Sequence, residues 1–259
     1  MNVKNKTGDD WIIPVIVGPT GSGKTGLSIE IALELKNRGI FDGCEIISAD
    51  SRAIYRGMDI GTAKPTVEEM RGVQHWGIDL VGPGERFTVA DFKQYAEEKI
   101  KEIIQRGHLP IIAGGTGLYV DALIYNYSFS EEAKKSYSDR NKMSDRYLVI
   151  GIDWPRDELK KRLLLRSEQL FAQPIEEEYR RVAAEYAADS QAMKSDIYPI
   201  VRDMLDGKIS REEAIRRNAT VDWHLAKRQL TWFKRNPEII WLPLEQARDY
   251  ILDFVIKYL

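Results

Sequence analysis

One glycine-rich segment constrains the fold of this chain more than any other feature. Residues 18–25 have the sequence GPTGSGKT and match the phosphate-binding pattern G-x-x-x-x-G-K-[ST]. The segment follows the apolar run Ile12–Val17 and opens a helical pattern that extends from Lys24 to about Arg38. In this order of strand, turn and helix, backbone N–H groups and the helix N-terminus converge on phosphate oxygens. The sequence therefore predicts a polyphosphate site.

The side chains of this loop indicate how a polyphosphate would be held. Lys24 would neutralise a phosphate, and the hydroxyl of Thr25 would coordinate Mg²⁺, so we expect Mg²⁺ as the cofactor. Many folds with this loop bind ATP, so the loop alone does not identify its ligand. The predicted diphosphate- or nucleotide-binding residues are Gly18, Pro19, Thr20, Gly21, Ser22, Gly23, Lys24 and Thr25.

Strands and helices alternate along the chain, which predicts an α/β fold. We expect a P-loop-type parallel sheet covered by helices on both faces, in a core formed by residues 10–152. A capping box at Thr88 and Asp91 should begin a helix that runs to about Arg106, where Gly107 stops it. The further predicted strands are Cys44–Ser48, Leu109–Ala113, Tyr147–Ile152 and Glu238–Leu242.

The C-terminal half has a different pattern from the core. Residues 153–259 are mainly helical, with one strand near 238–242 that returns to the core, and Ser210 and Glu213 form another expected capping box. Residues 126–146 are rich in Ser, Asp, Lys and Asn and lack periodicity, which predicts a polar linker or reduced insertion.

Composition excludes several classes of protein. With 259 residues, 43% hydrophobic and 30% charged, the chain is typical of a globular protein. A single cysteine, Cys44, excludes an intramolecular disulfide and a cysteine-based zinc site, and the three histidines lack metal-ligand spacing. The net charge of −2 argues against indiscriminate coating of nucleic acid. No apolar run is long enough to cross a membrane and no secretory signal is evident, so we expect a cytoplasmic monomer.

Four further segments resemble one family of prenyl-transferring enzymes. Residues 50–65, DSRAIYRGMDIGTAKP, resemble the segment DSMQVYRGMDIGTAKP of the isopentenyltransferases that modify N6 of adenosine 37 in transfer RNA. The segments VQHWGID, GGTGLY and AKRQLTWF, at residues 73–79, 114–119 and 226–233, are also similar to this family. The resemblance covers roughly residues 12–125 and 147–242.

The resemblance implies a reaction and roles for its residues. The loop would hold the diphosphate of dimethylallyl diphosphate, and Lys24 with Mg²⁺ on Thr25 would stabilise the leaving diphosphate. Asp50 would accept the proton of the attacking amine, and Thr116 would contact the reacting region, so the expected catalytic residues are Asp50, Lys24 and Thr116. Two alternatives remain open, namely that Asp50 contacts Mg²⁺ and that Thr116 is a helix N-cap.

The second substrate implied by the resemblance is the anticodon stem-loop of a transfer RNA. Lys64 and Arg56 either contact phosphates or are surface cations, and the aromatic residues Trp223, Trp232 and Phe233 are expected to pack in the core. The residues expected to contact transfer RNA are Asp50, Ser51, Arg52, Ala53, Thr116, Lys227 and Arg228.

Three departures from the family pattern leave the acceptor open. Arg52 and Ala53 replace Met-Gln, the long helical insertion after GGTGLY is missing, and residues 196–199 and 222–224 differ from the family. An adenylate isopentenyltransferase acting on a free adenine nucleotide is therefore an alternative, as is an RNA-binding protein without catalysis. A P-loop kinase is a further alternative, because Arg162 and Arg166 lie one helical turn apart and would serve as a lid over ATP.

Overall fold

The computed structural model describes residues 11–129, 142–186, 190, 193 and 197–258. Within these ranges six strands form one sheet, in the order β3-β2-β4-β1-β5-β6, and every pairing between them is parallel. The predicted parallel α/β fold is therefore confirmed. The strands are β1 (Ile13–Val17), β2 (Cys44–Ser48), β3 (His75–Trp76), β4 (Leu109–Gly114), β5 (Tyr147–Ile152) and β6 (Ile240–Leu242).

Helices cover both faces of the sheet. Alternate residues of each central strand point to opposite faces, so that Ile16 packs with α1 and α9 whereas Val15 and Val17 pack with α3 and α4. The helices are α1 (Lys24–Asn37), α2 (Val67–Met70), α3 (Val89–Gln105), α4 (Gly117–Ile124), α5 (Arg156–Ala172), α6 (Ile175–Glu185), α7 (Tyr198–Leu205), α8 (Arg211–Phe233) and α9 (Leu244–Tyr258). Among the described helices, none combines the length and the apolarity needed to cross a membrane.

The helix ends agree with the sequence at one predicted cap and differ at the other. Thr88 and Asp91 form the reciprocal capping box of α3, and Gly107 follows that helix with a φ of +74°. Ser210 caps α8 by accepting a hydrogen bond from the N–H of Glu213. The carboxylate of Glu213 contacts Arg216 and Arg217 instead of closing a second box, because the charged partners lie three and four residues further along the helix.

One strand is absent from the sequence prediction, and another is shorter than predicted. β3 contains only His75 and Trp76, which pair with Ile46 and Ile47 of β2, and two residues are too few to produce an alternating pattern. The last strand begins at Ile240 rather than at Glu238. Much of the polar stretch predicted at 126–146 lies outside the described residues.

Helices α5 to α8 form a third layer with its own apolar core. This core includes Met58 and Phe171, together with Tyr198, which is fully buried. Because Met58 comes from the segment that follows β2, the third layer holds that segment in place beside the sheet. The layer therefore determines how residues 50–65 are presented.

Glu178 of α6 is the main polar contact between the third layer and this segment. Its carboxylate accepts hydrogen bonds of 2.8 Å from the backbone N–H groups of Asp59, Ile60 and Gly61, and a fourth of 2.8 Å from the hydroxyl of Tyr198. Burial beside this carboxylate raises the pKa of Tyr198, so the phenol stays protonated as a donor. One buried acidic side chain thus organises the turn at residues 59–61.

Replacing Glu178 should destabilise the protein. In Glu178→Ala, three backbone donors and the Tyr198 hydroxyl lose their acceptor, so we expect the free energy of unfolding to fall by about 2–4 kcal/mol. The exposed neighbour Glu177 offers a matched control on the same helix, and Glu177→Ala should change it by less than about 0.5 kcal/mol. Urea denaturation of both variants measures the difference, and equal losses would contradict the assigned role.

Candidate active site

A cleft of about 710 Å³ lies at the carboxyl ends of β1, β2 and β4. The three strands are neighbours in the sheet, and in parallel sheets this edge is where ligands bind. Many residues predicted from the sequence share its lining. They are Thr20, Gly21, Gly23, Lys24, Thr25, Asp50, Ser51, Arg52, Thr116 and Arg228.

The glycine-rich loop has the backbone that its sequence predicts. Gly21 and Gly23 have φ values of +74° and +89°, a region that favours glycine. A Cβ atom on Gly21 would lie 2.7 Å from the side chain of Leu163, so the loop packs directly against α5. Ser22 is fully buried, and its carbonyl accepts a hydrogen bond of 3.0 Å from the indole N–H of Trp154. The loop is therefore held by the third layer as well as by the sheet.

Lys24 lies at the base of this loop and carries a perturbed charge. Its ammonium donates to the carbonyl of Pro19 at 2.7 Å and contacts the hydroxyl of Ser22 at 3.5 Å. Burial lowers the pKa of Lys24 to about 8, the negative charge of Asp50 opposes this change, and the positive charge of Arg166 adds to it. A bound polyanion would favour the charged ammonium.

Two arginines of α5 reach the loop from the third layer. Arg162 donates to the carbonyl of Gly21 at 3.0 Å, Arg166 donates to the hydroxyl of Thr20 at 2.9 Å, and both line the cleft. The sequence predicts this pair only as a kinase lid, and the spacing of one helical turn is the signal that both arginines share a face. Together with Lys24 they make this end of the cleft strongly positive.

Asp50 and Thr116 line the same cleft from the ends of β2 and β4. Asp50 follows β2, and its carboxylate accepts a hydrogen bond of 2.8 Å from the N–H of Arg52. Thr116 follows β4 and occupies the N-cap position of α4, but its hydroxyl does not cap the helix. It instead accepts from the N–H of Ser51 at 2.9 Å and donates to the Ser51 hydroxyl at 3.1 Å. Thr116 is therefore the N-cap residue of α4 by position, as the alternative predicts, but its hydroxyl bonds to Ser51 and not to the helix.

Several predicted contact residues lie away from the cleft. Ala53 is 6% exposed, and Lys227 lies 5.9 Å from the ring centre of Trp223. Neither lines the cleft, so their assignment to transfer RNA contact stays a prediction. The remaining loop residues, Gly18, Pro19 and Ser22, shape the loop without lining the cleft.

Two further cations and the aromatic residues have structural partners. The Lys64 side chain is 4% exposed and pairs with Asp59 at 2.8 Å and Asp79 at 2.6 Å. Arg56 pairs with Glu85 at 3.0 Å. Phe233 packs in the core as predicted. The structure thus favours intramolecular pairing over phosphate contact for both cations.

Thr25 meets the requirements of an Mg²⁺ ligand. It is exposed, lines the cleft, and follows Lys24 at the first turn of α1. Mg²⁺ in such sites is bound by one or two protein oxygens together with phosphate oxygens and water. Its hydroxyl and the oxygens of a bound diphosphate would form a set of this kind.

Comparisons with known proteins agree with the motifs. A family model described as IPP transferase matches residues 53–145 and 127–236. A tRNA dimethylallyltransferase of Staphylococcus epidermidis is 35% identical, with 90% of this chain and 86% of that protein covered. The solved structure of the full-length tRNA isopentenylpyrophosphate transferase from Bacillus halodurans has a TM-score of 0.81 and 30% identity, covering 95% of this chain and 96% of that chain. A solved tRNA delta(2)-isopentenylpyrophosphate transferase from Staphylococcus epidermidis has a TM-score of 0.79 and 32% identity, covering 95% and 98%.

The lengths of the aligned proteins bear on the missing insertion. The alignment with the Staphylococcus epidermidis relative extends over 294 residues, whereas this chain has 259. The relative therefore has aligned positions without a counterpart in this chain. This agrees with the prediction that a segment typical of the family is missing.

The pKa of Lys24 should make pyrophosphate binding depend on pH. Its ammonium is charged below a pH of about 8 and loses its proton as the pH rises through that value. The affinity for inorganic pyrophosphate should therefore be greatest below about pH 8 and fall by up to about tenfold per pH unit above it. Calorimetric titrations from about pH 7 to about pH 9.5 measure this dependence.

The variant Lys24→Arg is the control for this titration. Its guanidinium stays charged over the whole range, while the protonation of pyrophosphate itself changes equally for both proteins. The ratio of the two affinities therefore isolates Lys24. A ratio that stays constant with pH would show that the charge of Lys24 does not determine the dependence.

Proposed function

Because this chain belongs to the IPP transferase family, we propose that it transfers a dimethylallyl group from dimethylallyl diphosphate to N6 of adenosine 37 in transfer RNA. Diphosphate is the second product. One observation carries the proposal: a positive loop after β1 and an acidic side chain after β2, the two strands that flank β4, face the same cleft. A substitution at a prenyl carbon needs both, since negative charge leaves at one end and a proton leaves at the other.

The positive end of the cleft suits a diphosphate leaving group. As the bond between C1 and the diphosphate oxygen breaks, the electron pair goes to that oxygen. Lys24, Arg162 and Arg166 would stabilise the developing charge together with backbone N–H groups of the loop. Mg²⁺ held by Thr25 would supply further positive charge to the phosphate oxygens when bound.

The carboxylate of Asp50 suits the incoming amine. The N6 lone pair of adenine forms the new bond to C1, and the nitrogen then loses a proton. Asp50 would accept that proton, because it lies beyond β2 and carries a carboxylate that faces the cleft. The hydroxyl of Thr116, held by Ser51, would fix the position of the reacting groups between the two ends.

Apolar side chains would accommodate the prenyl chain. Leu165, Leu170, Ile197 and Leu225 line the same cleft as the charged groups. The buried side chains of Leu170 and Ile197 would shield an electrophilic carbon from water, which would otherwise hydrolyse it. The cleft thus combines the two surfaces that a prenyl diphosphate presents.

Transfer RNA is the proposed acceptor. Relatives with 30–35% identity are enzymes named for transfer RNA, so the alternatives of a free adenine nucleotide and a kinase are not favoured. Arg52 and Arg228 line the cleft as cations that could contact RNA phosphates. The base would have to leave its stack to reach N6, as in other enzymes that modify bases. A cytoplasmic location follows from this proposed substrate.

Mass spectrometry with two competing acceptors tests the proposal. The purified protein is incubated with dimethylallyl diphosphate, Mg²⁺, an anticodon stem-loop carrying A36-A37-A38, and AMP. We expect a mass increase of one C5 unit on the stem-loop alone. Prenylated AMP would assign the protein to the enzymes of free nucleotides, and no product on either acceptor would contradict the proposal.

Replacing Asp50 separates catalysis from diphosphate binding. In Asp50→Asn the amide oxygen can still accept from the N–H of Arg52, but the side chain cannot take up the amine proton. We expect kcat to fall by about 10²–10⁴-fold. Pyrophosphate should still bind at about pH 7, because the bound polyanion favours the charged ammonium of Lys24 although the variant loses the Asp50 charge that raises its pKa. Single-turnover assays and calorimetry measure the two effects, and turnover equal to wild type would exclude Asp50 as the base.

A further inference from the structure

Gln229 of α8 connects two loops of the cleft with a single amide group. Its carbonyl oxygen accepts a hydrogen bond of 2.7 Å from the backbone N–H of Thr20, and its amide nitrogen donates one of 3.0 Å to the backbone carbonyl of Gly115. Thr20 belongs to the glycine-rich loop after β1, and Gly115 belongs to the turn after β4. The planar amide therefore ties the carboxyl ends of two neighbouring strands together.

Each loop leads on to a different part of the proposed reaction. On one side, the hydroxyl of Thr20 accepts from Arg166, one of the cations at the diphosphate end. On the other side, Gly115 precedes Thr116, whose hydroxyl holds Ser51 next to the carboxylate of Asp50. A continuous path of hydrogen bonds and adjacent residues thus runs from Arg166 to Asp50 through Gln229.

The side-chain amide of Gln229 is held in place because α8 lies very close to the turn after β4. A Cβ atom on Gly115 would lie 2.3 Å from the amide nitrogen of Gln229, and one on Gly117 would lie 2.2 Å from the indole ring of Trp232. Three residues beyond Gln229, the indole N–H of Trp232 donates to the carboxylate of Asp121 at 3.0 Å. Glycine at both positions lets α8 lie directly on the turn, and the Trp232 contact secures that position.

We infer that Gln229 is a positioning residue that holds the glycine-rich loop and the Thr116 turn at the separation required for prenyl transfer. The inference rests on the proposed function. In a displacement at carbon, the leaving group and the group that receives the proton must have a fixed separation, and an error of about 1 Å can cost about 10²-fold in rate. The sheet fixes the turn, since the N–H of Thr116 donates to the carbonyl of Ala49 beside β2, but pairing of β1 with β4 ends at Val17 and Gly114, before the glycine-rich loop.

Two substitutions at Gln229 separate its two hydrogen bonds. Gln229→Glu retains an acceptor for the N–H of Thr20 but places a second oxygen against the carbonyl of Gly115. Gln229→Met has a similar size and loses both bonds. We expect kcat to fall by about 10- to 100-fold in both variants. In Gln229→Met, which adds no charge to the cleft, KM for dimethylallyl diphosphate should stay within about threefold of wild type, since Lys24, Arg162 and Arg166 remain.

Gln94→Met is the matched control for these variants. Gln94 is exposed on α3, where its amide donates to the carboxylate of Glu98 at 3.0 Å. Its kcat, KM and thermal midpoint should equal those of wild type. Wild-type kcat in both Gln229 variants would overturn the inference, as would losses of kcat that merely follow the loss of thermal stability.

Hydrogen exchange tests the connection without any catalysis. In the wild-type protein, inorganic pyrophosphate should slow amide exchange both in the glycine-rich loop and in the turn around Thr116. In Gln229→Met the effect should be confined to the loop. An equal response of the turn in both proteins, or no response of the turn in wild type, would overturn the inference. An inactive wild-type enzyme would contradict the proposed function alone, because this exchange measurement still decides the role of Gln229.

Discussion

Parallel pairing brings the carboxyl ends of β1, β4 and β2 to the same edge of the sheet, and the candidate active site depends on that alignment. The glycine-rich loop follows β1, Thr116 follows β4 and Asp50 follows β2. These residues are far apart in the chain, yet the ladder of backbone hydrogen bonds makes them neighbours. An antiparallel arrangement would send alternate strand ends to opposite edges and separate the proposed leaving-group site from the proposed base.

The third layer adds side chains to the cleft that lies at the ends of the strands. Helix α5 supplies Arg162 and Arg166, and α8 supplies Gln229, so both helices must be held at a fixed height above the loop. A small polar network joins them: Asn218 of α8 donates to the Ser167 hydroxyl of α5, which donates in turn to the carbonyl of Ile215. Asn218 and Ser167 are buried, so either side chain would lose free energy of folding if its hydrogen bond were broken. This cost favours the one arrangement of α5 and α8 in which both bonds form.

Sequence reasoning succeeded where the signal is local. The strands Cys44–Ser48 and Tyr147–Ile152 have the predicted bounds, because short apolar runs between turn residues have few alternatives in a parallel sheet. The capping box at Thr88 depends on residues three positions apart, and it too is present. The reasoning was incomplete for Arg162 and Arg166, whose spacing indicated a shared face but not the loop that this face would meet. Strand β3 could not be predicted, because its two residues are too few to show an alternating pattern of apolar and polar side chains.

The amino-acid sequence by itself determined the phosphate-binding loop, the class of fold and the family. Glycine spacing, apolar runs and a motif of contiguous residues are properties of the chain alone. Only the tertiary structure decided which side chains share the cleft. Lys64 pairs with Asp59 and Asp79, the Thr116 hydroxyl bonds to Ser51, and Gln229 bridges two loops. The physical reason is that hydrogen bonds and ion pairs join residues as far apart in the chain as Thr20 and Gln229 or Glu34 and Arg248, so packing rather than local pattern determines their partners.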